Sequence, residues 1–157
     1  MKFITIFLQF LATYFLMLSF MTFGFLQNSK MAEIFVKSGN INEVETQFRI
    51  ENFGGIELNN FVLTSHFMGL FGILISICIC FSILRKVPKK WIFIVIIFLT
   101  NIFILYHKKF AKPSQWLDFN PLNVGIVPNI FLTGFFLIFI ALILFYVSKK
   151  TLKFTRE

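Results

Sequence analysis

The sequence predicts an all-α integral membrane protein: a four-transmembrane-helix bundle with a small β-hairpin in its first extracytoplasmic loop. Three observations point there. Four apolar stretches, about 3–26, 61–84, 88–106 and 130–147, are set apart by short charged connectors. Hydrophobic residues fill 57% of the 157 positions, where soluble domains hold about 45–50%, and mean hydropathy is +0.82. The apolar runs Phe3–Leu26, Phe61–Leu84, Trp91–Tyr106 and Ile130–Val147 contain no Asp, Glu, Lys or Arg. A hydrocarbon core of about 30 Å needs about 20 such residues per helix. One four-helix membrane domain therefore uses the whole of 1–157.

The first span is read as a permanent helix. Its apolar run exceeds the roughly 7–15 residues of a signal peptide, and no A-x-A-like site follows it. Gln9, Ala12 and Thr13 share one face of this helix. Amides and hydroxyls in that setting usually bond across helices.

The outer loop 27–60 carries its own pattern. Met31–Lys37 is expected to form a short interfacial helix. Val44, Thr46, Phe48 and Ile50 alternate with Glu45, Gln47, Arg49 and Glu51, the period of a half-buried strand. The turn-forming run Asn52-Phe53-Gly54-Gly55 follows, and Ile56-Glu57-Leu58 resumes the alternation. This predicts a β-hairpin over 44–59. Because a lone hairpin is marginal in water, its apolar face should rest on another surface.

The second span holds the clearest packing signal. Ser65, Gly69, Gly72, Ser76 and Cys80 recur at helical spacing on one face. Small residues let helix backbones approach closely where lipid supplies no hydrophobic drive. The stripe therefore serves packing within the bundle, docking onto another subunit, or both. Gly134, Ala141 and Ser148 form a sparser stripe on the fourth span. Cys78 and Cys80, two apart, point to different faces of a helix; they read as small fillers, not as a redox or metal pair.

The third span is short, and Pro88 fits its first turn. The six-residue turn 85–90 makes spans two and three antiparallel neighbours. The outer loop 107–129 holds Trp116, Phe119 and three prolines, which suggests an ordered segment at headgroup level. Asp118 beside these aromatics gives a lipid-binding or lipid-modifying protein as one reading.

Charge sets the expected orientation. Arg85, Lys86, Lys89 and Lys90 crowd one turn, and Lys149, Lys150, Lys153 and Arg156 follow the last span. The loop 27–60 sets Lys30, Lys37 and Arg49 against five glutamates. By the positive-inside rule the termini lie inside, although Lys108, Lys109 and Lys112 run against it. The formal charge of +8 thus reports helix ends in a membrane, not nucleic-acid binding. The 25 phenylalanines, with abundant Ile, Asn and Lys, match A/T-rich codons. That suits a bacterial cytoplasmic (inner) membrane or an organelle-encoded protein of the mitochondrial inner membrane.

Candidate chemistry is sparse. His66 and His107 fall at similar depth on adjacent helices and form the one candidate ligand pair, for haem or a quinone. No paired carboxylates, catalytic triad, phosphate loop or metal-ligand spacing occurs. All seven acids lie outside the spans, whereas proton and ion relays need such groups within the membrane. The expectation is a non-catalytic, cofactor-free accessory subunit of a larger membrane complex, with other integral membrane subunits and lipids as partners. A haem- or quinone-associated redox anchor is the alternative.

Overall fold

The architecture, seen in a computed structural model, is described for residues 2–38, 41–107, 113–118, 122 and 124–154. It is all-helical, with no strand among the described residues. The elements are α1 (Lys2–Gly24), a 3-10 turn (Phe25–Gln27), α2 (Ser29–Lys37), α3 (Ile41–Ile50), α4 (Gly55–Ile83), α5 (Lys90–Tyr106), α6 (Pro113–Asp118) and α7 (Ile126–Phe154). Three helical stretches, Phe3–Gln27, Gly55–Ile83 and Ile126–Leu152, are long and apolar enough to cross a membrane. α5 is apolar but shorter, at 17 residues.

α1 is the axle of the bundle. It packs along α4 and α7, and α5 packs on α4 and touches α1. The enclosure follows from small side chains at the contacts. A Cβ built on Gly24 would stand 2.7 Å from Ser65 Cα, and one on Gly72 would stand 2.9 Å from the Leu16 carbonyl oxygen. Only a residue without a side chain allows these backbones to meet so closely. The outward faces of α4, α5 and α7 carry large exposed apolar residues, among them Phe67, Phe71, Phe103, Phe135 and Phe139. In a bilayer these face acyl chains at no cost.

At one end the chain folds into a cap. Asn28 starts α2 by accepting hydrogen bonds from the Lys30 and Met31 amides, at 3.1 and 3.2 Å. This bears out the short helix expected over Met31–Lys37. Phe25, Met31, Ala32, Val44, Phe48, Phe61, Leu117 and Ile130 form the cap's core. The Phe35 ring stacks on Phe61 at 5.2 Å and meets Phe48 edge-on at 5.8 Å.

The β-hairpin expected over 44–59 is not formed. Residues 41–50 are helix α3, and 55–59 are the start of α4. Val44 and Phe48 are the buried pair, at 3% and 2% exposure, while Ile50 is 64% exposed. Positions four apart satisfy a period of 2 and a period of 3.6 alike, so the alternation was ambiguous. Tertiary contact to Phe35 and Phe53 selected the helix. The turn at 52–55 is real. Asn52 adopts φ 58°, and the Phe53 amide reaches back to the Phe48 carbonyl at 2.8 Å, a Schellman ending with its ring contact in place.

The span limits also shift. α4 begins six residues before Phe61, because the Glu57 carboxylate caps the Gly54 amide at 2.8 Å. α5 begins at Lys90 and not at Pro88, since Lys89 turns left-handed at φ 55°. α7 takes in Pro128 in its first turn, where a missing N–H costs nothing.

These close approaches give a testable contrast. Gly72→Ala should lower the thermal midpoint in detergent by an amount equivalent to about 1–3 kcal/mol, the usual cost of overpacking. Gly55→Ala, with no neighbour within 4 Å, should leave the midpoint unchanged.

Candidate functional site

Inside the bundle the serine hydroxyls of Ser19, Ser65 and Ser148 join one helix to the next. On α1, Thr5, Gln9, Thr13, Ser19 and Thr22 are all buried. Ser19 Oγ donates to the Gly134 carbonyl of α7 at 2.8 Å, and Ser65 Oγ of α4 donates to the Met21 carbonyl at 3.0 Å. Ser148 Oγ donates to the Thr5 carbonyl at 3.3 Å near the far end of α7. Bonds of this kind contribute about 0.6 kcal/mol each on average within membranes.

The stripe Ser65, Gly69, Gly72, Ser76 and Cys80 is buried as a unit. A Cβ on Gly69 would meet Met21 and Leu105, and Gly72 lies on Leu16 and Met17. Its face is therefore turned to α1 and, at Gly69, to α5. On α7 Gly134 lies under the Phe23 ring, and Ala141 is fully buried. Cys78 is exposed and Cys80 buried, on the different faces that their spacing requires.

Two amides stand apart. Gln9 is fully buried, and neither Nε2 nor Oε1 has a hydrogen-bond partner among the described residues. Asn101 of α5 donates to the Ile97 carbonyl at 2.9 Å, while its Oδ1 has no partner among the described residues. Gln9 is legible from the sequence as an intramembrane amide, whereas Ser19 and Thr5 carry no distinguishing pattern. Their signal is weak, since one hydroxyl in an apolar run looks like any other.

Each histidine of the candidate ligand pair is held by its own contacts. His66 Nδ1 lies 2.7 Å from the Val62 carbonyl oxygen. A carbonyl can only accept, so Nδ1 carries a proton and, in the neutral ring, Nε2 is left as the acceptor. The His66 ring stacks on Tyr106 at 5.9 Å. His107 ends α5, with its amide bonded to the Phe103 and Ile104 carbonyls and its ring tilted on Phe103 at 5.4 Å. Each ring thus has its own aromatic neighbour.

α6 packs onto the bundle. Leu117 is buried, and the Asn129 side chain donates to its carbonyl at 2.5 Å. Trp116 turns inward onto Phe15 of α1, with ring centroids 5.9 Å apart. Asp118 is exposed. Phe119, like Lys108, Lys109 and Lys112, lies outside the described residues.

The concentrated polar surface is on the cap. An open cleft of about 630 Å³ runs between α2 and α3, lined chiefly by Lys30, Glu33, Lys37, Glu43, Gln47 and Glu51. Lys37 and Glu33 pair across one helical turn at 2.6 Å, a contact worth little at an exposed site. No group of three or more His, Cys, Asp or Glu is placed to hold a metal among the described residues. Compared with known protein families, curated proteins and solved structures, the chain matches none.

The unpaired amide yields a prediction with a definite sign. Gln9→Leu replaces a buried unsatisfied group with an apolar one of similar volume. It should raise the stability of the isolated protein by about 1–3 kcal/mol, read as a higher thermal midpoint in detergent. A lower midpoint would mean that the amide is bonded.

Proposed function

We propose that this chain is a non-catalytic accessory subunit of a larger membrane complex, joined to other integral membrane subunits in a bacterial cytoplasmic membrane. The observation that carries the reading is the division of its polar groups. Within the bundle, serine hydroxyls tie one helix to the next. Outside it, charged side chains gather on a well-packed cap with a shaped cleft. Such a surface discriminates partners by charge pattern more than by area.

On this reading α5 is the fourth crossing. Seventeen residues rise about 25 Å, a little under the hydrocarbon thickness, and modest thinning of the bilayer closes the gap. Trp91 and Tyr106, both exposed, bracket the helix where aromatic belts form. The α4–α5 turn and the end of α7 form a basic end with Arg85, Lys86, Lys89, Lys90, Lys149 and Lys150. The glutamates Glu33, Glu43, Glu45, Glu51 and Glu57 and Asp118 belong to the capped end. Positive charge then places the basic end, with both termini, in the cytoplasm.

A second reading, a haem- or quinone-associated anchor, draws support from the His66 Nε2 lone pair. A Soret band in the purified protein that disappears in His66→Ala would select it.

Two experiments test the first reading. The tagged chain, extracted at native abundance in mild detergent, should bring a defined set of membrane proteins with it. Glu43→Lys with Glu51→Lys should release them while helicity by circular dichroism stays the same; a wild-type chain that runs alone defeats the proposal. For topology, single cysteines at positions 86 and 118, which bracket α5, in a background lacking Cys78 and Cys80 should label from opposite sides of sealed vesicles with an impermeant maleimide. Labelling from one side removes the fourth crossing.

A further inference from the structure

We infer that the bundle holds an anionic phospholipid in a groove between α4 and α7 at its basic end. The groove has a volume of about 540 Å³, within the range of about 300–1,000 Å³ typical of ligand sites. Its composition is graded along the helix axis. Ile75, Ile79 and Phe145 form an apolar wall, and Ser82, Tyr146 and Lys149 line the part nearest the helix ends. From Ile75 to Ser82 is about 10 Å of helical rise, the depth of an upper acyl chain below its headgroup.

The charge distribution selects the headgroup. Lys149 is exposed, and the carboxylates among the described residues all belong to the opposite, capped end. Its ammonium therefore has no carboxylate partner at this end among the described residues. Arg85, Lys86 and Lys150 add to the positive field at that end. Basic pockets between membrane helices attract anionic headgroups. A groove that opens sideways between two apolar helices admits a lipid from the bilayer plane. A phosphate diester seated at Lys149 would accept from its ammonium and from the Ser82 and Tyr146 hydroxyls. Free phosphate finds no use for the apolar wall, so the occupant is a lipid.

The test uses the full purified chain in phosphatidylcholine vesicles, without any partner, so its outcome is independent of the accessory-subunit reading. Spin-labelled phosphatidylglycerol and phosphatidylcholine report which lipid the protein immobilises. A single well-placed lysine near the surface supports a preference of about fivefold for the anionic lipid. That preference should fall to parity in Lys149→Gln and persist in Lys86→Gln, which removes the same charge away from the groove. Cys78→Phe, which fills the groove from α4, should also abolish it. Equal affinity for both lipids in the wild type, equal loss in Lys149→Gln and Lys86→Gln, or displacement of the lipid by millimolar inorganic phosphate would each overturn the assignment.

Discussion

The structure depends on one constraint: inside a bilayer, apolar side chains gain nothing by leaving lipid for one another. Helices must be held by something else, and here it is close backbone approach around α1. Gly24 on Ser65, Gly72 on Leu16 and Met17, and Phe23 on Gly134 are contacts where added volume has nowhere to go. The first and last bring a helix near enough for a serine hydroxyl to reach the next backbone, as Ser65 does to Met21 and Ser19 to Gly134. Dispersion and hydrogen bonding do together what water exclusion does in soluble cores.

The cap works by the opposite rule. It is stabilised as a small soluble domain would be, by withdrawing Phe25, Phe35, Phe48 and Phe61 from water. Ring contacts of this kind add about 0.5–1.5 kcal/mol beyond burial. Phe61 belongs to both regions, as a buried residue on α4 and a member of the cap's aromatic cluster. One chain thus carries two solvents' worth of design, and the joint between them is aromatic.

Three of the four expected spans are helices long and apolar enough to cross a membrane, because composition alone specifies them, whereas the third, α5, falls short of that length. The stripe from Ser65 to Cys80 marks the face that meets α1. In the cap two periodicities coincide: Val44 and Phe48 suit a strand and a helix equally, and distant Phe35 decides between them. The inward turn of Trp116 was hidden for a similar reason. A Pro-flanked aromatic near a span end looks interfacial until Phe15 is known to lie beneath it. The pairings of Ser19, Thr5 and Ser148 involve backbone acceptors, which leave no trace in side-chain pattern. For His66 and His107, sequence spacing foretold adjacent helices but not the separate aromatic neighbours each ring adopts.

The central position of α1 has a consequence for how the protein is made. This helix leaves the ribosome ahead of α4 and α7, the two that will later enclose it. During that interval Gln9, Ser19 and the hydroxyls of Thr5, Thr13 and Thr22 lack the cover that α4 and α7 give them in the finished bundle. Thr13 and Thr22 bond to their own helix at Gln9 and Leu18 and tolerate the delay. Ser19 gains its acceptor only when Gly134 is synthesised, 115 residues later. The innermost part of the finished bundle is therefore the part that spends longest unprotected during biogenesis.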